Sequence, residues 1–137
     1  MNIAIVGATG NVGRKILEVL EKKELAIDNL YLLASSRSAG SKINFNGNEH
    51  EVIDLETFDF SKVKITFFAA GGKISENFAE IAAKHSLVID NSSFYRMDPD
   101  VPLIVPQVNS DHLNNIKKNI IANPNCSTAQ LVIALKP

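Results

Sequence analysis

An α/β fold, a mostly parallel sheet with helices on both faces, is what this sequence predicts, and three observations carry the prediction. Short apolar runs alternate with longer amphipathic runs along the chain. The short runs read as buried strands, as a sheet covered on both sides requires. The first run, Ile3 to Val6, passes directly into a glycine-rich loop and then into a helical pattern.

Taken in order, Ile3 to Val6 is a buried strand. Residues 11–23 place Val12, Ile16, Leu17, Val19 and Leu20 on one side, which is helical spacing. Leu30 to Ala34 is a second strand. "KINFNGNEHEV" sets Asn46-Gly47 between two alternating segments and predicts a hairpin with a type I′ turn. Lys64 to Ala70 is a strand ended by Gly71-Gly72, and Ser75 is the expected cap of a helix through Phe78, Ile81 and Ala82. Leu87 to Asp90 is a strand, and Leu103 to Val105, between Pro102 and Pro106, a short one. Ser110 is the expected cap of a helix over "DHLNNIKK". "NIIAN" is the last strand, with a helix beginning after Asn125.

The totals narrow the function. A chain of 137 residues suffices for one domain with its own core. The formal net charge of -1 lacks the basic excess of a nucleic-acid binder. No apolar run reaches the length of a membrane span. "MNIAIVGATG" has no basic leader before its apolar run, so it does not read as a secretory signal. A single cysteine forms no internal disulfide, which fits a cytoplasmic protein. No spacing of Cys, His and Asp suggests a metal site. His50, His85 and His112 neighbour no candidate nucleophile and read as structural or surface residues.

"GATGNVG" supplies the first chemistry. Gly7, Gly10 and Gly13 are spaced G-x-x-G-x-x-G, a variant of the dinucleotide fingerprint. The first glycine permits a tight turn, the second close approach of a pyrophosphate, and the third packing of helix on strand. Free N–H groups at the helix start then face the phosphates. The fold is therefore expected to be Rossmann-like, with Thr9, Asn11 and Val12 completing the loop. After the second strand an NAD site wants an acid for the ribose hydroxyls. Residues 31–42 contain none. Ser35, Ser36, Arg37 and Ser38 offer hydroxyls and a guanidinium, which suit a 2′-phosphate, so the expected cofactor is NADP.

Cys126 lies between the last strand and the last helical pattern. A helix N-terminus stabilises a thiolate, and the sheet edge beyond the strand ends is where ligands bind. The Asn125 amide and nearby backbone N–H groups are candidates to hold a developing oxyanion. "DNSSFYRM" is expected on the same edge. Arg96 is placed to grip a substrate anion bidentately, with Asn91 and Ser92 lining the site.

Five motifs in this order, "GATGNVG", "SSRS", "FFAAGG", "DNSSFYRMDPDVPLIVPQVN" and "NPNCSTAQ", resemble the N-terminal part of the aspartate-β-semialdehyde dehydrogenase family from Met1 to Pro137. The resemblance implies NADPH-dependent reductive dephosphorylation of L-aspartyl 4-phosphate, feeding lysine, methionine, threonine and diaminopimelate synthesis. It implies that Cys126 is the nucleophile that forms a thioester, with Asn125 beside it and Arg96 on the phosphate. It likewise implies Thr9, Gly10, Asn11 and Val12 on the cofactor, and Ser36, Arg37 and Ser38 at the 2′-phosphate. Ala69 and Gln107 depart from the family's commoner serine and glutamate without removing a group of named chemical role. Residues 1–137 are thus expected to be an NADP-binding domain without the family's C-terminal part, which carries the histidine acid/base, a second substrate arginine and much of the homodimer interface. The chain alone is expected to be inactive, with apolar surface left open.

Three other readings remain open at this level, one of them a truncated chain that only binds nucleotide or a partner. N-acetyl-γ-glutamyl-phosphate reductase shares the chemistry and the loop, although "NPNCST" favours the aspartyl enzyme. A non-catalytic NADP-binding module also opens with "GATG". Active short-chain dehydrogenases carry Tyr and Lys four apart, and neither Tyr31 nor Tyr95 has that lysine.

Overall fold

In the computed structural model, which describes residues 1–23 and 25–136, the chain runs β1 (Asn2–Val6), α1 (Asn11–Lys22), β2 (Asn29–Ala34), β3 (Lys42–Phe45) and β4 (Asn48–Asp54). It continues through β5 (Ile65–Phe68), α2 (Gly72–Ala83), β6 (Leu87–Asp90), α3 (Pro106–Asn109), β7 (Ile120–Ala122) and α4 (Cys126–Leu135). The strands form one seven-stranded sheet in the order β3-β4-β2-β1-β5-β6-β7. Every pairing is parallel except β3 with β4. The mostly parallel, helix-covered sheet predicted from the apolar runs is the fold observed.

Alternation along each strand divides the core in two. Ile3 and Ile5 of β1 point to the α1 side with Leu17, Leu20, Leu30, Leu32 and Val52. Ala4 and Val6 point to the α2 side with Phe68, Ala79, Ala82, Val88 and Ile120. Phe60 stacks on Phe68 at 6.5 Å to close that second core. Three-residue 3₁₀ turns at Leu55–Thr57 and Phe60–Lys62 join β4 to β5. Asp54 and Asp59 cap them, each accepting a backbone N–H two residues on.

The chain winds to one side of β1 through β2 and to the other through β5. The reversal opens a crevice at the carboxyl ends of these strands, where open α/β sheets take ligands. Gly7 sits there at φ +85, and a Cβ on it would lie 2.8 Å from the Ala69 carbonyl carbon. Gly13 is still tighter, its absent Cβ falling 2.2 Å from the Gly7 oxygen. Gly10 is open by comparison, with that same oxygen 3.4 Å away.

Several local expectations are corrected. Ser75 is not a cap. Gly71, at φ +88, ends the loop, so α2 starts at Gly72 and Ser75 is buried inside it, donating to Asp90 Oδ1 at 2.8 Å. Leu103 to Val105 is not a strand but a single parallel bridge, Leu103 opposite Ala122, because the flanking prolines lack the N–H a ladder needs. The helix expected from Ser110 is a 3₁₀ segment, Ser110–Asn115, without a side-chain cap. It follows α3, a short turn started by Pro106 that was not foreseen. The Asn46-Gly47 turn is as predicted, both residues having positive φ.

Apolar surface stays open on the α1 side. Ile65 and Phe67 of β5, with Leu87 and Ile89 of β6, are only half-buried. Val12, Ile16, Val19 and Phe67 line a shallow groove beside α1. Helix α4 is apolar through its second half, residues 131–135, yet buries no residue, and Leu131 and Leu135 are 58% and 70% exposed. Among the described residues no helix is long and apolar enough to cross a membrane.

The glycine spacing generates a direct test. Gly13→Ala should destabilise the domain by about 1–3 kcal/mol through overpacking against backbone that cannot yield. Gly10→Ala should leave the urea midpoint nearly unchanged.

Candidate functional site

Two clefts meet along the carboxyl edge of the sheet. The first, about 330 Å³, is lined by Gly7, Thr9 and Gly10 of the first loop, by Ser35, Arg37 and Ser38 after β2, and by Ala69 and Ala70 after β5. Leu55, Ile74 and Phe78 form its apolar wall, and Glu56 adds a carboxylate. The second holds Cys126 and Asn125 with Arg96, Asn91 and Asn123, and its near wall is Asn11 and Val12. The start of α1 therefore separates the glycine loop from the thiol by its own width.

The loop is built to leave donors free. Its first N–H groups pair inward, Gly7 and Ala8 to the Leu33 carbonyl at 2.8 and 3.2 Å and Gly10 to the Gly7 carbonyl at 3.0 Å. No side chain caps α1 at Gly10, and no acid stands in its first turn. The opening N–H groups and the positive end of the helix dipole are thus available to an anion. The loop fits a dinucleotide pyrophosphate: the missing side chains at Gly7 and Gly13 let it pack against the Ala69 backbone and let α1 start close to β1, so the free N–H groups sit at the sheet edge. Ser35, Arg37 and Ser38 gather at one end of this cleft, while Ser36 is exposed beside them and is not part of its lining.

Asn125 is the N-cap of α4. Its Oδ1 accepts the Thr128 N–H at 2.8 Å, so its amide NH2 is turned away from the helix. Cys126 is the first helical residue, exposed and unpaired. Arg96 is bolted down by backbone. Its Nε donates to the Asn123 carbonyl at 3.0 Å and its Nη2 to the Asn91 carbonyl at 3.1 Å, which leaves its remaining N–H groups for a ligand. Ser92 is buried and occupied. It donates to Asp90 Oδ2 at 2.7 Å and accepts the Phe94 N–H, so it shapes the turn that carries Asn91.

Asp90 organises this turn. It is fully buried and accepts from Ser75, from the Ser92 hydroxyl and from the Ser92 backbone N–H. Nearby, Tyr95 is buried against Phe94, and burial, reinforced by Glu80 and Asp90, pushes its hydroxyl up to about 12. Asp98, past Arg96, is held below the usual carboxylate range by its hydrogen bond from Lys118 at 2.9 Å. That contact ties the Arg96 loop to the approach to β7. Asp90 and Asn123 lie within two of the motifs, yet nothing in the sequence assigns either a role. Their signal was only a lone acid ending an apolar strand and an extra asparagine before a proline.

A glycine-loop crevice beside a second cleft that holds an exposed thiol and an anchored arginine defines a nucleotide-binding α/β domain. Residues 2–116 match the family model described as semialdehyde dehydrogenase, NAD binding domain, and the chain belongs to that family. It is 49% identical over 138 residues to aspartate-semialdehyde dehydrogenase of a Shewanella species, covering 99% of this chain and 41% of that one. Among solved structures, aspartate semialdehyde dehydrogenase II of Vibrio cholerae complexed with ASA superposes with a TM-score of 0.96 at 51% identity, over 99% of this chain and 45% of that one. Aspartate semialdehyde dehydrogenase with NADP from Candida albicans superposes with a TM-score of 0.81 at 28% identity, over 100% of this chain and 46% of that one. The chain thus spans less than half the length of these relatives.

The cap at Asn125 should matter to the order of α4, which lacks buried residues to hold it. Asn125→Ala should cost about 1 kcal/mol of helix stability. Hydrogen exchange should show it as faster exchange confined to α4, led by the Thr128 amide.

Proposed function

We propose that this chain is the nucleotide-binding, thiol-bearing part of an aspartate-semialdehyde dehydrogenase, which converts L-aspartyl 4-phosphate to L-aspartate 4-semialdehyde with NADPH. The observation that carries this reading is the adjacency of the two clefts: Thr9 and Gly10 line the first, and the next two residues, Asn11 and Val12, line the second with Cys126 and Arg96. A dinucleotide held in the first cleft would supply its hydride beside the cleft that holds the thiol.

In this reading the Arg96 N–H groups grip the phosphoryl group of the substrate, with Asn91 beside them. The Cys126 thiolate attacks the acyl carbon, a C–S bond forms, and phosphate leaves with the electrons of the broken C–O bond. The Asn125 NH2 and the opening N–H groups of α4 stabilise the oxyanion. Bound NADPH supplies the hydride that reduces the thioester carbonyl. The C–S bond then breaks, freeing the semialdehyde and returning the thiolate. Gly7, Thr9, Gly10, Asn11 and Val12 would form the loop that holds the pyrophosphate, with Gly13 letting α1 pack close enough to present it, and Ser35, Arg37 and Ser38, with the exposed Ser36 beside them, would hold the 2′-phosphate. The enzyme would serve lysine, methionine, threonine and diaminopimelate synthesis in the cytoplasm, as a homodimer of the longer chain.

Residues 1–137 are proposed to be incomplete for turnover. The lining of the thiol cleft includes no histidine or carboxylate to move a proton. That group, and the cover for α4 and the open sheet face, would come from the remainder of a longer protein.

Two measurements test these assignments. Incubated with an acyl phosphate, the chain should gain one acyl mass on Cys126 and lose it in Cys126→Ala. With semialdehyde, phosphate and NADP it should show no rise in NADPH absorbance. Steady turnover would overturn the assigned incompleteness, and absence of acylation would overturn the nucleophile. By titration the chain should bind NADP more tightly than NAD, and Arg37→Ala should remove about 1.5–3 kcal/mol of that difference. An equal loss for both nucleotides would reassign Arg37 to general phosphate attraction.

A further inference from the structure

The thiol cleft contains a closed ring of hydrogen bonds whose keystone is Asn123. Just past the end of β7, its backbone N–H donates to the Asp90 carbonyl at 2.8 Å. Its carbonyl receives Arg96 Nε at 3.0 Å. Its side-chain Nδ2 donates to Asn91 Oδ1 at 2.6 Å. Asn91 completes the ring through its own carbonyl, which accepts Arg96 Nη2 at 3.1 Å.

The polarity of this ring has a chemical result. Asn91 has one amide oxygen and one NH2 group, and an amide can turn either toward a ligand. With Oδ1 taken by Asn123, the NH2 remains, and among the described residues it has no acceptor. It lies in the cleft that Asn91, Arg96 and Cys126 all line. A free rotation would present a carbonyl oxygen to an incoming anion and repel it. The bond from Asn123 instead leaves Asn91 a donor beside a guanidinium whose plane is set by two carbonyls.

We propose that Asn123 is a positioning residue that makes the thiol cleft selective for anions, by fixing the amide of Asn91 as a donor and the guanidinium of Arg96 in register with it. This rests on the reading of the cleft as an acyl-phosphate site and deepens it. Asn123 need not touch the substrate. It acts through its two neighbours, and the group it favours is a phosphate or carboxylate presented beside the sulfur.

Alkylation of Cys126 provides a test on the chain as it stands. Iodoacetate and iodoacetamide react with the same thiolate by the same displacement of iodide, and they differ in charge. Their rate ratio therefore cancels thiolate fraction and exposure and reports the pull on the anion. The unaltered chain should prefer iodoacetate relative to the ratio for free cysteine, and Arg96→Ala should abolish the preference. Asn123→Ala should reduce it roughly fivefold, as expected when a charge-assisted pair loses its geometry, while the iodoacetamide rate and the thermal midpoint stay near the parent values. Asn123→Leu, close to asparagine in size, should do the same and serves if the alanine variant unfolds. In the Arg96→Ala background neither change should reduce the ratio further. A preference retained in both Asn123 variants overturns the positioning role alone. No preference in the unaltered chain overturns the anion reading of the cleft, and the positioning role with it.

Discussion

The carboxyl edge of the sheet is organised by how closely α1 approaches the end of β1. That distance is set by two missing side chains. At Gly13 the helix backbone lies where a methyl group would overlap the Gly7 carbonyl, and at Gly7 the loop lies close against the Ala69 backbone, though less tightly. These contacts bring the ends of β1 and β5 together across the reversal in strand order. They fix the direction in which the uncapped N-terminus of α1 points, and they place Asn11 and Val12 between the nucleotide cleft and the thiol. A bulkier residue at either position would move every one of those elements.

Burial of polar groups on the other half of the edge follows a different logic. Asp90 is removed from water without a cation beside it, and the cost of that burial is offset by three hydrogen bonds from two serines. One serine comes from α2 and the other from the turn after β6, so a single carboxylate joins helix, strand and loop. Thr66 and Ser86 make a smaller buried pair at 2.8 Å between β5 and the start of β6. Among the described residues no buried side-chain polar atom is left without a partner. The rigidity of the Arg96 loop is a product of this accounting as much as of apolar packing.

Much of this was legible in the residues, for physical reasons that differ by element. The strands were readable because burial on both faces demands uninterrupted apolar runs, and the hairpin because Asn46-Gly47 tolerates two positive φ angles in succession. The glycine loop announced its role through spacing. Ser75 misled because a serine before an apolar run reads as a cap, whereas its partner, Asp90, lies fifteen residues away and only the fold brings them together. Leu103 to Val105 misled for the opposite reason. Its apolar character is real, since Ile104 and Val105 are buried, but prolines on either side limit it to one bridge. Asn123 was hidden because its contacts are made as much by a carbonyl as by a side chain, and every residue has a carbonyl.

That single bridge also determines how copies of the molecule can meet. A parallel sheet ordinarily ends in a strand whose free N–H and C=O groups invite another chain to add itself. Here the edge of β7 is occupied. The Ala122 N–H donates to the Pro102 carbonyl at 2.9 Å, and its carbonyl accepts the Ile104 N–H at 2.9 Å. The covering segment starts and ends in proline, so it makes a poor template for a further strand. At the far edge β3 carries Lys42, paired with Glu49 at 2.7 Å, a charged rim that discourages stacking into fibrils. With both margins of the sheet blunted, the sticky surface of this molecule is its side chains and not its backbone. Open-ended growth by strand addition is therefore disfavoured at both edges.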